Sequence, residues 1–458
     1  IAVTNPNTGW SRDAMRNLEW LVVMDLFENE SASVWYADPK GPSPDECQTE
    51  VFYLPVCTCL EKEGSVTNTE RVLQWHERIQ EAPGAAHADS WYIYQLGKRL
   101  QAKANATTDE RDAGMRALYW DYDANGPTRS EREFELTPIE GNLDMMKVVR
   151  EMNGFNIDDG SVCQGSGTLK DDGSTVCGCR LLSGILGPEG ENLMNRTETG
   201  DVHNGSIFSD YRVSWPENSR ILYNRCSADP KGKPWDPKRV LVEWDGKKWL
   251  QNDVGDFVTA KAPDDNAFFM TWEQNARLFA YSMADGPLPE HFEPHEAPVK
   301  NLLNGAGGNP CARFTEDPSV RRGSIKDYPY VVTTYSVVEH WQSGTQTRNI
   351  PWLNELIPSN FIELSEELAK EKGIRPGDKV RVWNNRGSVV VDAMITIRMK
   401  PMMIDGKLTH VVGMPHHFSW ATKLATGDNV NDLTPNVGDP NSYIPEYKAF
   451  LVNLEKAA

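Results

Sequence analysis

The tract from Tyr330 to Leu451 carries the densest set of residues able to do chemistry. It contains YVVTTYSVVEHWQSGTQTRNIPWL, then GDKVRVWNNRGSVVVDA, GMPHHFSW and LTPNVGDPNSYIPEYKAFLVNLEK. Its short apolar runs end in Thr, His, Gln, Asn, Arg and Lys. Strand ends of this kind offer many hydrogen-bonding groups to one large polar ligand. The elements that must hold them are marked by turns and caps. Ser365 caps a short helix, EELAKEK, which Gly373 ends. Pro376-Gly377-Asp378 turns the chain into KVRVW, and Asn384 to Gly387 makes a hairpin turn before SVVVDAMITIR. Strands at this spacing, with one helix, suit a small closed barrel.

The N-terminal region has a different rhythm. SRDAMRNLE over 11–19 predicts a helix capped by Ser11, and WLVVMDLF over 20–27 a buried strand with Asp25 near its end. TEVFYLPV over 49–56 predicts a second strand, RVLQWHERI over 71–79 a helix, and WYIYQLGKRLQAKAN over 91–105 a clearer one. Alternating strand and helix favours a mainly parallel, doubly wound α/β unit. Ligands of such sheets bind outside the carboxyl ends of the strands, which places Asp25 and the 25–31 loop at a ligand edge. From 126 to 325 Gly, Pro, Asp and Asn dominate, and RVLVEWDGKKWL over 239–250 forms a hairpin around Asp245-Gly246. The chain thus divides into an α/β part over 1–125, an irregular wrapping segment over 126–325, and a barrel over 326–458. There are no internal repeats.

Composition narrows the chemistry further. The chain of 458 residues carries 47 Lys and Arg against 66 Asp and Glu, a formal charge of −19. That excludes nucleic acid and an anionic membrane surface as natural partners. A phosphate-bearing ligand would need the few cations of the C-terminal tract aimed at it, so each becomes a candidate. No apolar run reaches the ~20 residues of a membrane helix. The eight cysteines, Cys47, Cys57, Cys59, Cys163, Cys177, Cys179, Cys226 and Cys311, show no paired C-x2-C spacing. Free thiols, with or without a disulfide, are expected. Cys177-Gly178-Cys179 reads as a packing or turn element, with a redox role as its alternative. His416 and His417, adjacent in a strand, point to opposite faces and chelate badly; one polar core His and one exposed His is the expectation. His291 and His295 have helical spacing, but Pro289 and Pro294 oppose a helix. Gly305-Ala306-Gly307-Gly308 lacks the following Lys-Ser/Thr of a phosphate loop.

The C-terminal tract, with EVFYLPVCTCLEKEGSVTNTERVLQW at 50–75, DDGSTVCGC at 171–179, ILYNRCSADPKGKPWDPKR at 221–239 and GPLPEHFEP at 286–294, resembles formate dehydrogenase large subunits of the molybdopterin oxidoreductase superfamily. HWQSGTQTRN at 340–349 looks most like the soluble, often tungsten-containing enzymes of sulfate reducers. The resemblance implies a bis-molybdopterin guanine dinucleotide cofactor holding tungsten or molybdenum. It also implies an α/β nucleotide-binding domain and a six-stranded double-psi-type β-barrel. The chain opens at Ile1 without Met or leader, and the resemblance makes it the C-terminal half of a larger catalytic subunit. The metal ligand (Cys or selenocysteine), its neighbouring His, the catalytic Arg and a [4Fe–4S] cluster would lie in the N-terminal half. A ferredoxin-like iron–sulfur beta subunit and a cytochrome or membrane subunit are the implied partners. The implied compartment is the periplasm, with the cytoplasm as alternative. The rival readings are another bis-molybdopterin oxidoreductase, such as a nitrate reductase-like enzyme, and a non-catalytic cofactor-binding half.

What the resemblance carries onto this sequence is a cofactor shell, with no catalytic residue in the chain. Thr333, Thr334 and Tyr335 match a strand-end loop along a pterin. Glu339, His340, Trp341, Gln342 and Thr345 continue towards the metal, with His340 and Gln342 on the substrate route. Asn385 and Arg386 match a turn facing the cofactor. His416, His417 and Trp420 match a His-aromatic loop; Asn436, Tyr447 and Lys448 fall in the LTPN and PEYK matches. Asp25 and Glu30 match nucleotide-edge positions, Asp25 being suited to accept from guanine N1–H and its amino group. Gly64, Asn68 and Arg71 match a further turn.

Overall fold

A computed structural model describes residues 1–68, 71–123, 143–196, 211, 213–216, 228–238, 240, 242–251, 291–301, 303, 322–422 and 424–457. Cys226, Cys311 and the Gly305–Gly308 run lie outside the described residues. The chain forms two compact units: one from Ile1–Pro55 with Arg277–Ala458, the other from Val56–Ala276. The first 55 residues therefore belong with the barrel.

The first unit opens with a helix over Thr8–Met15, earlier than the 11–19 expected. Its cap is Asn7, not Ser11: the Asn7 side chain accepts from the Trp10 N–H, and its backbone is left-handed at φ 44°. Strand β1 (Trp20–Asp25) pairs in parallel with β2 (Glu50–Pro55), Trp20 opposite Glu50 and Asp25 opposite Pro55. The crossover between them passes through one helical turn, Glu30–Ser33. Parallel strands are normally covered on both faces. Here Val23 alone in β1 is buried, whereas Trp20 is 61% exposed, so the expected buried strand is an exposed one. The described residues hold this pair rather than a wide doubly wound sheet.

In the second unit β3 (Gly64–Thr67) and β4 (Leu73–His76) form an antiparallel hairpin. This corrects the helix expected over 71–79. A short apolar run does not choose its own period. Leu73 N–H donates to the Val213 carbonyl and Trp75 N–H to that of Met194. Leu73 also packs with Val149, Ile185, Leu186 and Met194. A helix over Asp89–Asn105 matches expectation and buries Tyr94, Gly97 and Ala104. Gly97 is required there, because a Cβ would sit 2.2 Å from the Trp120 ring. Two small ladders follow, β5 (Phe155–Asn156) with β6 (Thr175–Val176), and β7 (Val242–Trp244) with β8 (Trp249–Gln251) around Asp245-Gly246. Gly178 N–H donates to the Glu151 carbonyl, so the Cys-Gly-Cys block serves as a turn. The six described cysteines are free thiols.

The rest of the first unit is a closed barrel of six strands. These are β9 (Tyr330–Tyr335), β10 (Phe361–Leu364), β11 (Lys379–Trp383), β12 (Ser388–Ile395), β15 (Val411–Pro415) and β16 (Phe450–Lys456). A small hairpin, β13 (Met402–Ile404) with β14 (Lys407–Thr409), lies between β12 and β15. The order around the barrel is β10-β12-β11-β16-β9-β15. Alternation with period two fills its interior: Val380 and Val382, Val389 and Val391, Phe450 and Val452 all join one core. A helix over Glu366–Lys372 closes against it through Leu368. Ser365 Oγ caps that helix and Gly373, at φ 65°, ends it, both as expected.

Candidate functional site

Strand direction gathers the candidate residues. β15 runs parallel to β9, β16 runs antiparallel to β9, and β11 runs antiparallel to β16. Therefore β9, β11 and β15 finish at the end of the barrel where β12 and β16 begin. Thr333, Thr334 and Tyr335, the Asn385-Arg386 turn, His416 and His417, and Tyr447 and Lys448 all reach that end.

The loop after β9 is built from internal bonds. His417 is fully buried. Val337 N–H donates to its Nε2 at 2.9 Å, so its Nδ1–H donates to the Gln342 carbonyl at 2.5 Å. Burial pulls its pKa down to about 4, helped by the neighbouring His416, His340 and Arg348. His416 is half-buried and bonds the Tyr335 carbonyl through Nδ1. His340 is buried; Nε2 donates to the Ile357 carbonyl at 3.0 Å, leaving Nδ1 to accept from Thr347 Oγ1 at 3.2 Å. Both its ring nitrogens thus serve the loop. Thr345 Oγ1 bonds Ser343 Oγ at 2.7 Å, and Glu339 is half-buried. Gln342 holds a left-handed backbone at φ 51°. The consequence is a loop that turns the Trp341 ring, 61% exposed, and the Gln342 side chain outward.

The cations of this end are engaged by the protein. Arg386 forks onto Glu296 at 2.7 and 2.9 Å, and its Nε donates to the Leu433 carbonyl. Burial pushes the Glu296 carboxyl up, but the Arg386 fork and the Leu451 and Gly323 amides outweigh it and hold it low. Lys448 Nζ donates to the Thr334 carbonyl at 2.7 Å, and Thr334 Oγ1 to that of Tyr447. Tyr447 O–H donates to the Thr4 carbonyl. Asn385 is exposed and Asn436 half-buried.

The first strand pair contributes from the side. Asp25 accepts from its neighbour Leu26 N–H and from Asn29 Nδ2 at 2.6 Å, which orders the loop after β1. Glu30 is buried and paired with Arg348 at 2.6 Å. Trp420 Nε1 donates to Ser33 Oγ, and Arg12 lies over its ring. Gly64, Asn68 and Arg71 belong to the second compact unit. There Asn68 accepts from the Arg71 and Val72 amides, with Arg71 left-handed at φ 65°, so Asn68 and Arg71 flank the β3–β4 connection, while Gly64 begins β3 opposite His76. Sequence reasoning missed Arg348 and Glu296. Arg348 had a legible signal, being one of the few cations of the tract; Glu296 had none.

With this geometry in place, residues 330–451 match the Molydopterin dinucleotide binding domain. The six-stranded barrel falls on that match. Over its whole length the chain is 38% identical to the formate dehydrogenase subunit alpha of Megalodesulfovibrio gigas. It is 36% identical, over 97% of its length, to the nitrate-inducible formate dehydrogenase major subunit of Escherichia coli. Formate dehydrogenase 2 subunit alpha (cytochrome c-553) of Nitratidesulfovibrio vulgaris matches 99% of it at 36%. The chain is thus similar throughout to formate dehydrogenase alpha subunits, and it spans less than half the length of these relatives: 45% of the first and 44% of the other two.

The donor set fits a pterin dinucleotide. Trp341 offers an aromatic wall and Gln342 an amide edge, both exposed on the loop after β9; Asn385, whose Oδ1 accepts from Arg386 Nη1 at 3.2 Å, is exposed on the turn after β11. Beneath them Ser419 Oγ, Arg348 Nε and Glu30 Oε2 are buried with no hydrogen-bond partner. Buried polar atoms without partners are uncommon in folded proteins; among the described residues Trp91 Nε1 and Ser183 Oγ, in the other compact unit, are further examples. Among the described residues no group of His, Cys, Asp and Glu is placed to hold a metal, and no helix is long and apolar enough to cross a membrane.

Proposed function

We propose that this chain is part of a formate dehydrogenase catalytic subunit, acting on formate at a tungsten or molybdenum bis-molybdopterin guanine dinucleotide centre. The reaction is formate to carbon dioxide, a proton and two electrons, reversible in principle. One observation carries the reading. A chain matched throughout by formate dehydrogenase alpha subunits collects its aromatic, amide and hydroxyl side chains at one barrel end.

When bound, the metal–pterin group supplies the acceptor for the electron pair released by formate. This chain's part is to bind and orient. Trp341 would face a pterin ring, Gln342 and Asn385 its hydrogen-bonding edges, and Asp25 a guanine edge. Buried His417 and half-buried His416 both have pKa values lowered by burial, so at pH 7 they keep fixed hydrogen bonds rather than supply charge. The finer fold reading is a doubly wound α/β unit beside a double-psi-type barrel. The metal ligand and a [4Fe–4S] cluster belong to the rest of the subunit, and electrons leave through a ferredoxin-like beta subunit. A cytochrome or membrane subunit would follow it, and the periplasm is the compartment proposed.

The test uses the purified complex. Elemental analysis, released-nucleotide chromatography and formate-dependent dye reduction are run on one sample. Tungsten or molybdenum with GMP, and dye reduction, are expected. Iron without either heavy metal, or no GMP on acid release, overturns the reading.

A further inference from the structure

We propose that Arg348 is a positioning residue. Its guanidinium, with Nη2 on Glu30 and Nη1 on the Ser419 carbonyl, locks the two barrel-end loops in their ligand-ready shape, so Glu30 acts through Arg348 rather than on a ligand. The inference rests on the functional reading above for its kinetic consequence, but not for its structural one.

Arg348 is a cation at 0% exposure. Its Nη2 donates to Glu30 Oε1 at 2.6 Å and meets the Ser343 carbonyl at 3.4 Å; its Nη1 donates to the Ser419 carbonyl at 3.2 Å. One guanidinium thus touches the loop after β9, the loop after β15 and the turn after β1. Glu30 Oε1 also accepts from the Ala421 N–H at 3.2 Å, tying the same two elements again. His417 adds the second fastening between the loops, through Val337 and Gln342. At Gly344 the loops approach so closely that a Cβ would lie 2.2 Å from the His417 carbonyl oxygen. The segment between these fastenings is the one that exposes Trp341 and Gln342.

A buried ion pair is poor at adding stability relative to apolar packing, because desolvating two charges offsets their attraction. A planar fork is good at fixing geometry, since its donors point in set directions. An arrangement this directional, with its side chains buried behind an exposed loop, is therefore better explained by loop placement. Lysine separates the two roles: it keeps the charge opposite Glu30 but cannot reach both Ser343 and Ser419 carbonyls with a rigid fork.

The experiment compares Arg348→Lys, Arg348→Gln and Glu30→Gln in the purified complex. Backbone hydrogen exchange of 336–349 and 416–421 is measured beside metal and GMP content and the kcat and KM for formate. In Arg348→Lys we expect at least tenfold faster exchange in both loops, with exchange of the barrel strands unchanged. Metal and GMP should stay near wild-type content while kcat falls roughly 10²-fold, the size expected for an ångström-scale misplacement, with KM little changed. Wild-type exchange and kcat in Arg348→Lys, whatever Arg348→Gln does, would overturn the proposal and leave a simple charge pair. A wild-type complex without heavy metal or GMP would defeat the functional reading; the exchange result would still decide whether the fork holds the loops.

Discussion

Arg386 donates to both oxygens of Glu296 and to the Leu433 carbonyl, so its guanidinium is satisfied inside the barrel end. Neither side chain of the pair is more than 1% exposed. Removing one member would strand the other charge in a dry site, a loss of ~3–5 kcal/mol. Arg386→Ala should therefore loosen β11, β12 and β16 before it alters any surface contact. The pH dependence has a definite sign. Glu296 is held below its unfolded value, so its contribution is complete above ~4.3, the unfolded carboxylate pKa, and is lost as pH falls through the lower folded one. In Arg386→Ala the buried carboxylate lacks its fork and takes up a proton at higher pH, moving acid loss of structure upward. Hydrogen exchange of the barrel amides between pH 4 and 7 measures both effects. A loss below ~1 kcal/mol would show that Arg386 is not a structural fork.

At the scale of elements, two glycines with left-handed backbones make different demands. Gly373, at φ 65°, ends the Glu366–Lys372 helix with open space where a Cβ would go. Gly344, at φ 76°, would drive a Cβ to 2.2 Å from the His417 carbonyl oxygen. Gly373→Ala should cost ~1–2 kcal/mol, the backbone term alone. Gly344→Ala adds a backbone clash to that term and should displace the loop after β9 or the His417 segment. Crystal structures or hydrogen exchange of the two variants would show a shift at 336–349 and 416–421 for Gly344→Ala only; an undisturbed loop would mean the approach of the two loops is slack. The same contrast explains what was legible. Ser365 and Gly373 could be read because a cap acts within its own turn. The 71–79 segment could not, since its strand state depends on pairing with Gly64–Thr67 and on carbonyls of Met194 and Val213, far away in sequence.

For the molecule as a whole, the parallel pair β1–β2 is the part least complete by itself. Trp20, Val22, Met24 and Phe52 are exposed on it, although parallel sheets are normally covered on both faces. Residues 1–458 expressed alone should therefore scatter light and bind an apolar dye, and should give no formate-dependent dye reduction. Coexpression with the remainder of a formate dehydrogenase should suppress the dye binding. Static light scattering and dye titration on both preparations check this. A monodisperse isolated chain that turns over formate would mean that the catalytic groups lie within it.

Read alone, the residues determined whatever depends on local geometry or on composition. The barrel's alternation of apolar and polar residues, the cap and stop of its helix and the hairpin turns at Asn384–Gly387 and Asp245-Gly246 all follow from neighbours a few positions apart. The C-terminal tract also stood out as the part matched by a dinucleotide-binding domain, since only there do strand ends carry so many polar side chains. Tertiary structure decided which charges are available. Glu30 and Arg348 are 318 residues apart and Glu296 and Arg386 are 90 apart, yet each pair closes in a buried site. It also decided that Ile1–Pro55 joins the barrel while Gly64, Asn68 and Arg71 do not share its unit. The reason is physical: a buried ion pair is chosen by the desolvation that folding imposes, and no property of either residue type in the chain announces which opposite charge will be there.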